Sequence, residues 1–208
     1  MATPPARPPS TVVLDLGGVV LRVDWRPVIA LLREDTPEVP EDLEQQVGAW
    51  AAYHRYERGE SSSAEFFAAL RQHFHLPTPQ ERVLQAWNVA VAELLPGAMS
   101  VLRRCGARVP LFAFTNTNAA HYAYISATLP LFSAFQTVFA SHELGQRKPE
   151  PRAYDLVSAR LPCEPGAVLY IDDKLENVAA ARTAGWQAEQ CVNDTERLAG
   201  ILSHYNVL

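Results

Sequence analysis

Asp172 and Asp173 are adjacent acids at the end of an apolar run, AVLYID, and they pose the first chemical question. Neighbouring carboxylates at the end of a buried strand repel unless a cation or a positive side chain compensates them. A third acid, Asp15, stands in a similar run, TVVLDL, and Thr115 with Asn116 closes another, PLFAFT. Lys148 lies in the polar segment GQRKP that follows a fourth run, TVFAS. Taken singly, each has an ordinary explanation. An Asp or Asn after a strand caps a helix or forms a turn, and a lysine in a polar loop is a solvated charge. Taken together, three carboxylates, one hydroxyl and one ammonium come from four separate segments, and one edge of a sheet could assemble them.

The elements that must position these residues follow from the patterning. Residues 11–16, 110–115, 137–141 and 167–172 are short and apolar throughout, as strands buried on both faces are, and 186–192 is a weaker fifth. Helical stretches separate them. Asn118 precedes an alanine- and tyrosine-rich segment to residue 129, and Pro149 opens a segment to residue 161. A third segment, 174–184, carries Val178 and Ala181 at helical spacing before Gly185 stops it. Strand and helix in alternation predict an α/β fold, a doubly wound parallel sheet with helices on both faces. In such sheets ligands bind outside the carboxyl ends of the strands, where the polar residues named above fall.

One connection is too long for a simple crossover. From Val20 to Leu95 about 75 residues pass without a convincing strand. They carry helix signals instead: Ser62 to Glu65 before FFAAL and Thr78 to Glu81 before RVLQAW have capping-box form, and residues 41–58 are amphipathic. The expected organisation is a core of residues 11–19 and 96–208, a small helical cap over 20–95, and a disordered proline-rich tail over 1–10. Within the cap, Trp50 and Trp87 recur with apolar neighbours and read as packing residues. His73 and His75, two apart on a helix, face different ways and make poor metal ligands.

Composition bounds the function classes. The chain has 208 residues, a net charge of −5, 48% hydrophobic and 20% charged residues, which is globular and argues against a dedicated nucleic-acid binder. No run of about 18 apolar residues predicts a membrane span, and no secretory signal is expected. Cys105, Cys163 and Cys191 form no paired spacing, which points to buried thiols and a reducing cytoplasm.

The stretches VVLDLGGVV, FAFTNTN, GQRKPEP and YIDDKLENV, in that order, resemble the four signatures of the haloacid dehalogenase superfamily of phosphohydrolases, in the subgroup with a helical cap after the first strand. YHRYERGESSSAEFF, FTNTN and LGQRKPEPRAY are similar, more narrowly, to bacterial α-D-glucose-1-phosphate phosphatases and to the phosphatase-like domain of soluble epoxide hydrolases. The resemblance implies a Rossmann-like core and a two-step transfer, in which Asp15 attacks phosphorus and water hydrolyses the resulting aspartyl-phosphate. It implies Mg²⁺ as cofactor, held by Asp15, the Gly17 carbonyl, Asp172 and Asp173. Lys148 would balance the phosphoryl charge, and the Thr115 hydroxyl with the backbone N–H groups of Leu16 and Asn116 would donate to its oxygens. Asn177 would orient the acids from the following helix. His54 and Arg147 are the candidate substrate contacts, while Glu57 and Arg58 have the simpler role of ending a helix before Gly59.

Gly17 departs from the pattern. Most phosphatases of the superfamily carry a second Asp two residues after the nucleophile, which protonates the leaving oxygen. Its absence removes a contribution of about 10²–10⁴-fold and favours an activated ester such as a sugar 1-phosphate. Three readings result. The first is a phosphomonoesterase acting on a small phosphorylated metabolite, as monomer or homodimer. The second is a non-catalytic or weakly active phosphate-binding protein, motivated by Gly17. The third is a hydrolytic dehalogenase, against which the acid pair Asp172-Asp173 weighs.

Overall fold

Side chains on successive residues of a strand point to opposite faces, so a run apolar at every position belongs where both faces are covered. The computed structural model, which describes residues 8–208, places four such runs in one sheet. The chain enters at β1 (Thr11–Leu14) and turns into a two-residue strand, β2 (Leu21–Arg22). Five helices follow: α1 (Arg26–Arg33), α2 (Leu43–Ala49), α3 (Ala51–Glu57), α4 (Ser63–His73) and α5 (Gln80–Asn88). Then β3 (Glu93–Leu94) pairs antiparallel with β2, Leu21 opposite Leu94 and Arg22 opposite Glu93.

Past this neck the alternation resumes with α6 (Ala98–Gly106), β4 (Leu111–Thr115), α7 (Ala119–Thr128), β5 (Thr137–Ala140), α8 (Ser141–Leu144) and α9 (Pro151–Ser158). It ends with β6 (Val168–Asp172), α10 (Leu175–Thr183), β7 (Gln187–Gln190) and α11 (Thr195–His204). The sheet runs β5-β4-β1-β6-β7, all parallel, as the Rossmann-like α/β expectation requires. Its two faces support two apolar clusters. Val13, Phe114 and Tyr170 join Tyr154 and Trp186 on one side. Val12, Leu14 and Ile171 face the other, where the cluster continues into the helical insert through Val28, Phe66 and Trp87. No helix of the described residues is long and apolar enough to cross a membrane.

Several local expectations are corrected. The insert does hold strands, β2 and β3, but two residues each are too few to leave an alternation pattern. The amphipathic stretch 41–58 is two helices, broken where Trp50 turns extended (φ −81, ψ 126) and stacks its ring on His73 at 4.7 Å. His75 lies beyond the end of α4 with φ 51. The Ser62 capping box forms as expected. The Thr78 one does not: Pro79 occupies the cap position of α5 and the Thr78 hydroxyl is buried without a partner. α9 opens at Pro151 rather than Pro149, because Glu150 precedes a proline and is held extended. β1 ends at Leu14, since the Leu16 carbonyl accepts from Val20 and Leu21 in a turn. Of the expected tail, residues 1–7 lie outside the described residues. Pro9 is buried and Ser10 N–H donates to the Ala167 carbonyl at 2.9 Å, so this end of the segment belongs to the sheet margin.

Candidate active site

Because β1, β4 and β6 are parallel neighbours, their carboxyl ends lie side by side. Asp15, Thr115 and Asp172 therefore converge, and Lys148 joins them from the loop before α9. Its ammonium is 1% exposed. Lys148 Nζ donates to the Phe114 carbonyl at 2.8 Å, the Tyr170 hydroxyl at 2.9 Å and Asp172 Oδ2 at 2.7 Å, and lies 3.0 Å from Asp15 Oδ1. Asn116 fixes the backbone that carries it. The Asn116 amide donates to the Lys148 carbonyl and accepts from the Lys148 N–H, both at 2.8 Å.

One carboxylate oxygen from each of Asp15, Asp172 and Asp173 lies within 4.8 Å of the others. Burial, with repulsion from Asp172 and Asp173 working against the attraction of Lys148, pushes the Asp15 carboxyl up to about 7. Burial and the adjacent Asp172 push Asp173 up to about 6. Asp172 goes the other way. Burial favours its neutral form, but Lys148 and hydrogen bonds from Tyr170 and the Lys174 N–H hold it below the usual carboxylate range. One buried ammonium thus faces three acids, and positive charge is in deficit. An oxygen-seeking dication fits that donor set. Asn177 adds to the fit: its amide donates to both Asp172 oxygens at 3.0 and 3.1 Å, and its buried Oδ1 is left without a partner. Gly18 is required by the same crowding, since at φ +69 a Cβ there would lie 2.7 Å from Asp173 Oδ2.

Asp15, Gly18, Lys148, Asp173 and Asn177 form the floor of a cavity of about 380 Å³ reaching under the insert, also lined by Leu16, Gly17, Thr115, Asn116 and Arg147, with Asp172 buried behind them. Arg147 is engaged: its Nε and Nη2 donate to Glu57 Oε2 at 2.9 and 2.8 Å. Glu57 and Arg58 therefore do more than end α3, because Arg58 also pairs with Glu150. The Leu16 N–H donates to Asp15 Oδ1 at 2.7 Å. His54 is not brought to the cavity; its Nε2 meets the Gly48 carbonyl at 2.7 Å. The sequence reading missed Tyr170, whose hydroxyl joins Lys148 to Asp172, and His121, whose Nε2 reaches the Trp87 carbonyl of the insert at 3.0 Å. Tyr170 sits two residues before Asp172 on the same strand face, and that spacing is the signal that could have found it.

Known proteins resemble this chain over most of its length. The chain is 27% identical over 176 residues to the sesquiterpene phosphatase astK of Aspergillus oryzae, covering 83% of this chain and 85% of that protein. It is 23% identical over 194 residues to the D-ribitol-5-phosphate phosphatase of Bacteroides thetaiotaomicron, covering 89% and 93%. Among solved structures, a HAD family enzyme from Bacteroides thetaiotaomicron superposes with a TM-score of 0.80 at 20% identity, covering 88% of this chain and 94% of that one. That enzyme has also been solved in complex with magnesium and inorganic phosphate. The family model for haloacid dehalogenase-like hydrolases matches residues 9–185. With that match spanning most of the chain, and with acids, lysine and hydroxyl gathered at the sheet edge, the protein belongs to the haloacid dehalogenase-like hydrolase family.

Proposed function

We propose that the protein is a Mg²⁺-dependent phosphomonoesterase that acts on a small phosphorylated metabolite through an aspartyl-phosphate on Asp15. The observation that carries this reading is the way Asp15 is held. Its Oδ1 is anchored by the Leu16 N–H and by Lys148, while Oδ2 takes no hydrogen bond among the described residues and is the oxygen available to attack. Magnesium bound by Asp15, Asp172, Asp173 and the Gly17 carbonyl would supply the positive charge that lets a carboxylate approach a phosphate dianion.

The chain's own groups do the rest. Lys148, fixed through its backbone by Asn116, contributes a point charge that no solvent screens. The Thr115 hydroxyl and the N–H groups of Leu16 and Asn116 donate to phosphoryl oxygens, the Leu16 N–H exchanging Asp15 for the ligand. Asn177 and Tyr170 keep Asp172 oriented. Residues 20–95 act as the cap that closes over the substrate. The three free cysteines, two of them buried, support a cytoplasmic place of work. The relatives' activities toward phosphate esters support the reaction class. Gly17, offering no acid, supports esters whose leaving oxygen is activated.

The test is phosphate release from p-nitrophenyl phosphate with and without Mg²⁺. Asp15→Asn is expected to abolish it, as is chelation; turnover undiminished in either case overturns the proposal. Gly17 also motivates a non-catalytic, phosphate-binding reading. That reading prevails if the protein binds phosphate esters, forms no beryllofluoride adduct on Asp15 and turns over none.

A further inference from the structure

Gly17 carries no side chain where the cavity begins, and an apolar residue stands against it. A Cβ built on Gly17 lies 3.1 Å from Val23 Cγ2, closer than ordinary contact, so a side chain at this position would require the Val23 methyl to give way. Val23 follows β2 and is 43% exposed, an apolar side chain presented to the cavity rather than to the core. Leu21, Trp25 and Val91 line the cavity beside it, and Ile125 and Phe132 line it from another segment.

Among the described residues, the buried titratable groups of the wall above the floor are engaged elsewhere. Glu57 is only 5% exposed at its side chain and is committed to Arg147. His121 is held neutral by burial, its pKa pushed down to about 4, and its Nε2 is engaged by the Trp87 carbonyl. Glu44 and Lys174 line the cavity but are exposed to solvent. Three polar side chains of the lining are committed within the protein. Asn116 holds the Lys148 backbone, Asn177 holds Asp172 and Glu57 holds Arg147.

Resting on the phosphatase reading above, we infer that the preferred substrate is the phosphate ester of an apolar alcohol acidic enough to leave unprotonated, a phenol-type ester rather than a sugar phosphate. The Asp15 oxygen forms a bond to phosphorus as the ester P–O bond breaks. The leaving group departs as an aryloxide with that electron pair and takes its proton from solvent. Water then adds to phosphorus, releasing a proton to solvent. The Asp15–phosphorus bond breaks with its pair returned to the carboxylate. The balance is one ester and one water to one phenol and one phosphate. The Val23 wall favours the apolar body by removing it from water.

The experiment compares kcat/KM for 1-naphthyl, phenyl and benzyl phosphate and glucose 1-phosphate with Mg²⁺ present. Phenyl phosphate is expected to exceed benzyl phosphate, similar in bulk but with a far more basic leaving oxygen, by about 10²–10⁴-fold, the range an absent general acid accounts for. 1-Naphthyl phosphate is expected to exceed phenyl phosphate by about five- to tenfold, from the added apolar area. Val23→Ser should shrink the naphthyl-to-phenyl ratio. Gly17→Asp combined with Val23→Ala, which makes room for the acid, should shrink the phenyl-to-benzyl ratio at least about tenfold. Equal rates on phenyl and benzyl phosphate, or glucose 1-phosphate turned over faster than 1-naphthyl phosphate, would overturn the inference and leave the phosphatase reading standing. Absence of phosphate release from every ester would overturn both.

Discussion

Arg147 and Lys148 are consecutive in sequence and serve opposite walls of the same cavity. Lys148 points down into the sheet edge, where its ammonium is 1% exposed and meets two carboxylates, a carbonyl and a phenol. Arg147 points toward the insert and meets Glu57, while Glu150 nearby takes Arg58. The floor is built from charges that cannot be left alone, since a buried ion without its partner costs far more than a broken surface pair. The roof is joined to the core by two ion pairs, one of them a quarter or more exposed at both side chains. The difference teaches that position is fixed most firmly where charge is hardest to hydrate.

The sharpest way to break the comparison is Lys148→Met. It strips the floor of its buried ammonium and should reduce phosphate release at least about 10³-fold, with a loss of roughly 3–5 kcal/mol in denaturant unfolding when divalent cations are chelated. An unchanged unfolding midpoint would mean the floor is no more demanding than the roof.

A second prediction uses His121, which ties α7 to the insert at the Trp87 carbonyl. Burial depresses its pKa to about 4 from the ordinary 6.5. The unfolded chain therefore binds a proton that the folded one refuses between these values. Stability is full above pH 6.5 and falls, by up to about 3 kcal/mol, as pH drops toward 4. Asp15 and Asp173, raised to about 7 and 6, shift stability the opposite way in the same window, so the slope should appear in the difference between wild type and His121→Gln unfolding free energies measured from pH 7 to 4.

Smaller effects separate the two pairs of the roof. Double-mutant cycles are expected to give about 1–3 kcal/mol for Glu57 with Arg147, whose carboxylate is 5% exposed. For Arg58 with Glu150 they should give at most about 1 kcal/mol. Equal coupling would dissolve the distinction drawn from exposure. Least disruptive is Ser62→Ala, which removes the cap of α4 within the insert and should cost about 1 kcal/mol in thermal unfolding. Because Ser62 contacts no group of the floor, kcat should not change.

Much of the floor was legible because strand ends announce themselves. Asp15, Thr115 and Asp172 each stand at or just past the last apolar residue of a run buried on both faces, and parallel strands bring such ends to one edge. The roof was less legible. Two-residue strands leave no period, which hid β2 and β3. Trp50 breaks a helix in order to stack on His73, a choice made by packing that helix propensity does not anticipate. Tyr170 read as one more apolar position in AVLYID, since a phenol in a buried strand declares its hydroxyl only when the acceptor across from it is known.

By itself the sequence determined the alternation of strand and helix, hence the parallel sheet, and the identity of the polar residues at its carboxyl edge, because hydrophobic period and turn chemistry are local properties of the chain. Only the tertiary structure decided which charges pair. Glu57 with Arg147, Tyr170 with Lys148 and Val23 against Gly17 are contacts between segments far apart in the chain or turned toward each other by a bend. Such partners are set by desolvation and steric fit at a few ångströms, which no spacing along the chain records.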